Sequence, residues 1–161
     1  MATRDTAAEE MAVFRSFVQA SRANIDETSI RAGDDPPDLM CRSSEYGDTA
    51  FELVRVEDKS IYEGVAKALN DRDAGGSYDE LKPIRKNVEK KLSRYGDDTF
   101  AAFARAELLA YRLFLPDWPE DFSKRRTDEL QTFFSDLLPE SPFKRVWLFN
   151  WNDGTVLLSV P

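Results

Sequence analysis

A chain of 161 residues, 42% hydrophobic and 12% aromatic, is long enough for one domain with a packed core and too apolar for a disordered tail. With a single cysteine, Cys41, and no histidine, it excludes an internal disulfide and histidine-based serine or cysteine hydrolase schemes. A thiolate zinc site is disfavoured too, which leaves hard, oxygen-ligated ions such as magnesium or manganese as the metals to expect. A net charge of −8 and a pI near 4.7 oppose strong nonspecific attraction to nucleic acid, while a local basic face remains compatible with both.

From the start of the chain, Met11, Val13, Phe14, Phe17 and Val18 recur at helical spacing, which predicts a helix over Thr6 to Ala20 with Asp5 or Thr6 as its cap. Glu10 lies four before Phe14 and shares the inward face, whereas Glu9 sits at its margin. Glu10 reads either as a dipole-favoured acid in an early turn or as an active-site carboxylate. Asn24 to Asp35 is polar, so any strand there is expected to be short. Pro36-Pro37 forbids helix and predicts an extended approach to the strand Asp38-Leu39-Met40-Cys41.

After the turn-rich Ser43 to Asp48, the residues Asp48 to Val56 alternate. Ala50, Glu52, Val54 and Val56 share one face and Thr49, Phe51, Leu53 and Arg55 the other, the pattern of a strand at the centre of a sheet. Asp38 and Glu52, fourteen residues apart, therefore both fall near the core. A carboxylate there costs several kcal/mol unless it is paired, hydrogen-bonded or bound to a metal. Two that converge need a cation or a shared proton.

Ser60 to Asn70 reads as a short helix ended by the glycine-rich turn Asp73 to Gly76. Tyr78 to Tyr95 reads as a longer helix with Pro83 in its first turn, Gly96 as its C′ residue and an apolar stripe of Leu81, Ile84, Val88, Leu92 and Tyr95. Lys82, Lys86, Lys90 and Arg94 form a basic face, and Lys91 is the one base turned toward the core side, where it either meets an acid or extends its ammonium to water. Phe100 to Arg105 has helix-forming composition, and Leu108 to Phe114 fits a strand or the continuation of that helix. Phe122 to Leu138 reads as a helix with a basic start, Ser123 to Arg126. Val146 to Trp151, the turn Asn152-Asp153-Gly154 and Thr155 to Val160 form the clearest β-hairpin, its aromatics either core or binding surface. The expected class is α/β, a central mixed β-sheet flanked by helices with a C-terminal β-hairpin, in a single domain over 1–161. No run reaches the roughly 18 apolar residues that span a bilayer, and Met1 to Ala8 lacks the apolar core of a signal peptide. A cytoplasmic protein with no membrane association is expected.

In its order of elements, and in Glu10, Pro37-Asp38, Phe51-Glu52-Leu53-Val54 and Lys91-Leu92 with Tyr95, the chain resembles the PD-(D/E)XK nuclease superfamily, the restriction-endonuclease-like fold. The resemblance covers roughly Glu9 to Leu115. It implies Asp38 and Glu52 as ligands of Mg2+ or Mn2+, with catalysis by Asp38, Glu52, Lys91 and Glu10. Val54 stands where the family carries its motif lysine. Some members carry that lysine on a neighbouring helix, and Lys91 is the position here that matches such a migration.

The function expected from this resemblance is metal-dependent cleavage of phosphodiester bonds in DNA or RNA. Val54 and the acidity of the chain also fit a catalytically inactive member of the fold acting as a binding or regulatory protein. An acidic immunity or inhibitor protein is a third class. A protein partner or a homodimer through exposed strands or the tryptophan-rich hairpin is compatible with the sequence.

Overall fold

The computed structural model describes residues 4–56, 81–112 and 120–161. Helix α1 spans Arg4–Ser21 and precedes the strands β1 (Ile25–Ala32), β2 (Leu39–Ser43) and β3 (Gly47–Arg55). Helix α2 (Leu81–Arg94) leads to β4 (Arg105–Arg112), and helix α3 (Glu120–Leu137) with a 3-10 turn (Leu138–Glu140) leads to β5 (Arg145–Asn150) and β6 (Thr155–Val160). The helix and glycine-rich turn expected between Ser60 and Gly76 lie outside the described residues. No described helix is long and apolar enough to cross a membrane.

The six described strands form one mixed sheet in sequential order. β1, β2 and β3 are antiparallel neighbours, β4 runs parallel to both β3 and β5, and β6 returns antiparallel along β5. The molecule is thus α/β, with helices on both faces of the sheet. Strand alternation divides the core in two. Phe51 and Leu53 of β3 and Leu109 and Tyr111 of β4 pack with Val13, Phe14 and Phe17 of α1. Ala50 of β3 and Leu108 and Ala110 of β4 pack on the opposite face with Ile84, Val88 and Leu92 of α2 and Leu130 and Phe134 of α3.

Three local readings change. The first strand is longer than its polar sequence suggests, eight residues from Ile25 to Ala32. It is an edge strand whose outer residues meet water, and its pairing with β2 shifts register between Asp26 and Arg31, where the Ser29 hydroxyl accepts the Arg42 N–H at 2.8 Å. A bulge filled by side-chain hydrogen bonds protects such an edge without an apolar pattern. The alanine-rich stretch 97–104 forms consecutive turns and not helix, and Arg105–Arg112 is a strand. Burial decides this, since every residue from Ala106 to Arg112 is enclosed between β3 and β5, so helix propensity yields to sheet pairing. Gly96, expected as the C′ residue of α2, is not left-handed; its carbonyl accepts the Thr99 N–H at 3.2 Å and so begins the turns that follow the helix.

Candidate functional site

The turn before β2 presents Asp38. Residues 34–38 bend back on themselves, held by the Gly33 N–H on the Asp38 carbonyl at 2.9 Å and the Asp35 N–H on the Pro37 carbonyl at 3.0 Å. The straight approach expected from Pro36-Pro37 is replaced by this bend. Only glycine fits at position 33, because a Cβ there would lie 2.0 Å from the Pro37 carbonyl oxygen. Gly33→Ala is expected to cost at least about 2 kcal/mol, the range for a steric conflict that backbone must absorb. Equal urea midpoints for variant and wild type would show that the bend has slack.

Asp38 stands one residue beyond the last backbone pair of β2 with β3, Leu39 with Phe51. From there the two acids prolong the ladder with their side chains. The Asp38 N–H donates to Glu52 Oε1 at 3.0 Å, and the Leu53 N–H donates to Asp38 Oδ2 at 2.8 Å. Each carboxylate thus takes a backbone donor of the other acid's strand. Glu52 is wholly buried, on the α2 face that its alternation predicts.

Helix α2 supplies the counter-charge. Ile84, Val88 and Leu92 seat it on the sheet, and Lys91, at the border of that stripe, reaches Glu52 Oε2 at 2.9 Å and Asp38 Oδ2 at 4.0 Å. One ammonium therefore touches both acids. Burial pulls the Lys91 pKa down, but the charges of Glu52 and Asp38 and the Glu52 hydrogen bond outweigh it and raise the net value. Lys91 stays protonated at neutral pH. Tyr95, one turn further on, donates its hydroxyl to Glu52 Oε2 at 3.0 Å; burial and the neighbouring Glu52 charge raise its pKa.

Glu10 arrives from α1 on the other side of the sheet. It makes no hydrogen bond or ion pair with the described residues, yet it shares their field. Burial first, then the charges of Asp38 and Glu52, raise its pKa to about 7 against the pull of Lys91. Asp38 is raised to about 6 by burial and by Glu52, against the Leu53 N–H and Lys91. Among the described residues three carboxylates face one ammonium, an imbalance that protons or a divalent cation can relieve. Neighbouring Glu9, at the margin of the stripe, instead accepts the Tyr111 hydroxyl at 3.0 Å and lies 3.7 Å from the Arg55 guanidinium.

All four residues singled out in the sequence therefore lie in one neighbourhood: Asp38, Glu52 and Lys91 in direct contact, Glu10 coupled to them through charge. Tyr95, named with Lys91-Leu92 in the resemblance but given no role of its own, is an added participant: a tyrosine four after an inward lysine can place its hydroxyl beside the same acid. Outside this site, Glu107, buried on the opposite face, was missed, although it is an acid in an apolar run, Ala106 to Ala110, the same signal that marks Glu52.

The donor set suits a hard cation within limits. Among the described residues no three His, Cys, Asp or Glu side chains are arranged to hold one ion, so an ion at Asp38 and Glu52 would take at most those two carboxylates from them. Magnesium is commonly held by one or two carboxylates, with water and substrate phosphate completing its shell. Both Glu52 oxygens already accept protein donors, which leaves Asp38 as the more open ligand. No family model matches the chain, nor does any curated protein or solved structure.

Proposed function

We propose that the chain is a metal-dependent nuclease of the restriction-endonuclease-like fold, hydrolysing phosphodiester bonds in DNA or RNA. The observation that carries this reading is the meeting of Asp38 and Glu52 on the single ammonium of Lys91. The element order supports it: a helix, three antiparallel strands with one acid just before the second and the other on the third, a lysine-bearing helix, and a strand parallel to the third. Val54 then needs no replacement on its own strand, because α2 brings the lysine to the acids from above the sheet.

In this reading Asp38 and Glu52 hold Mg2+ or Mn2+, which when bound polarises a phosphodiester oxygen and lowers the pKa of a water. Lys91, held charged by its two acids, acts by stabilising negative charge and not as a base. Glu10, titrating near neutrality, is the group suited to accept a proton there. Tyr95 and the Asp38 N–H fix the orientation of Glu52.

Cleavage of single-stranded DNA, duplex DNA and RNA, each with and without Mg2+ or Mn2+, tests the proposal. A metal-stimulated activity that falls at least about 100-fold in Asp38→Ala is expected, the scale for losing a charge-stabilising group. An Asp38→Ala enzyme as fast as the wild type ends the assignment. The prior engagement of both Glu52 oxygens favours a second reading, a catalytically silent binding or regulatory protein of the same fold. No cleavage by the wild type, and equal heats of Mg2+ titration into wild type and Glu52→Gln, would select it.

A further inference from the structure

The odd-numbered residues of β3 and β4 face α1, away from Glu52. On that face, beyond the last turn of α1, lies a cavity of about 230 Å3 whose walls include Arg22, Tyr46, Phe51, Glu107, Arg145 and Trp147. Glu107 is buried and already engaged. Its Oε1 accepts the Trp147 indole N–H at 3.0 Å, its Oε2 lies 3.4 Å from Arg105 Nε, and Arg145 Nε stands further off, 4.0 Å from Oε1. Two guanidiniums thus share one carboxylate.

Both guanidiniums rest on rings that border the cavity. Arg105 lies over Tyr46 at 3.9 Å from the ring centre, and Arg145 over Trp147 at 5.2 Å. Trp147 is in turn fixed edge-on against Phe17 of α1, with ring centres 5.0 Å apart. Arg145 Nε is buried with no hydrogen-bond partner, while the side chain as a whole is 28% exposed. A buried donor left unmade costs about 1–3 kcal/mol, and an acceptor from solution can relieve it. Counting Arg105 behind Glu107, three guanidiniums (Arg22, Arg105, Arg145) stand against the carboxylates of Glu107 and of Glu45, which also borders the cavity. Among the described residues this is a positive surplus, in a chain whose net charge is −8.

We propose that this cavity binds a small planar anion, an aromatic ring carrying one carboxylate or phosphate. The ring lies among Tyr46, Phe51 and Trp147, and the anionic group takes the unmet donor of Arg145. Glu107 is not the recognition group, because the indole N–H and the closer Arg105 guanidinium already engage its two oxygens. The volume falls below the roughly 300 Å3 at which drug-sized sites begin, so one ring or two fused rings is the limit. The site lies on the face opposite the acid pair and does not depend on the proposed cleavage.

The test is a titration of the full chain followed by the indole N–H resonance of Trp147, assigned with Trp147→Phe, using benzoate, phenyl phosphate and inorganic phosphate as probes. A saturable shift with benzoate or with phenyl phosphate is expected, the responding probe distinguishing a carboxylate source from a phosphate source. In Arg145→Gln the same probe is expected to bind at least about tenfold more weakly, the equivalent of one charge-assisted hydrogen bond. Tyr46→Ala, a change at an exposed rim position, is also expected to weaken it and serves if Arg145→Gln does not fold. The proposal is overturned by no shift with any probe, by inorganic phosphate acting as well as the ring-bearing anions, or by unchanged affinity in a folded variant.

Discussion

Glu52→Ala is expected to lower stability by about 3 kcal/mol, at the lower end of the range for removing one partner of a buried ion pair. The substitution takes the acceptor from three donors at once: the Asp38 N–H at 3.0 Å, the Lys91 ammonium at 2.9 Å and the Tyr95 hydroxyl at 3.0 Å. Among the described acids Lys91 then keeps only Asp38, 4.0 Å away. Relief of repulsion on Asp38 and Glu10 offsets part of the loss, which keeps the expectation near the lower end. Glu52→Gln, which retains an acceptor for the Asp38 N–H, is expected to lose less. Adding Lys91→Met to Glu52→Ala should recover part of the deficit, because the stranded charge goes with it. Urea unfolding at pH 7 measures all three, and a Glu52→Ala loss below about 1 kcal/mol would mean that the cluster contributes only like a surface pair.

The second large effect is a stability that falls as pH rises through the mildly acidic range, opposite to ordinary acid denaturation. Folding raises the Glu10 pKa from 4.5 to about 7 and that of Asp38 from 3.8 to about 6, in both cases chiefly through burial. An acid whose folded pKa lies above its unfolded value binds its proton more tightly when folded. Its contribution is fully present below about pH 4 and is lost as pH climbs through about 6 to 7. The two groups together are worth on the order of 2–4 kcal/mol across that window, after discounting Glu10 because it is only half-buried and solvent screens it. Comparing urea midpoints of wild type and Asp38→Asn between pH 4.5 and 8 isolates the Asp38 share. The variant should show a shallower slope and greater stability at pH 8. Parallel curves would remove the excess of negative charge from the account of this site. Under the nuclease reading, millimolar Mg2+ restores stability to the wild type at pH 8 and leaves Asp38→Asn less affected.

Much of this arrangement was legible in one dimension. The alternation of Ala50, Glu52, Val54 and Val56 gave the face on which Glu52 lies, and the spacing of Ile84, Val88 and Leu92 set Lys91 at the border of the buried side of its helix. Met11 to Val18 marked α1, and the two apolar runs around Asn152-Asp153-Gly154 marked β5 and β6. These assignments succeed because side-chain direction follows from the 2.0 and 3.6 residue periods of strand and helix. The stretch 100–104 misled for the complementary reason: its alanines favour helix locally, while the demand for a strand between β3 and β5 comes from elsewhere in the chain.

What the sequence determined by itself was therefore the orientation of each candidate side chain within its own element, and the fact that two acids had to be compensated somewhere in the core. Which group compensates them was decided only in three dimensions. Lys91 and Tyr95 lie about 40 positions from Glu52 along the chain, at separations of 39 and 43, and no periodicity spans such a gap. The bend at Gly33, the side-chain continuation of the β2–β3 ladder and the packing of α2 on β3 and β4 set these distances. Local sequence fixes which way a group points, whereas the meeting of groups depends on strand pairing and helix docking that bury apolar surface throughout the molecule.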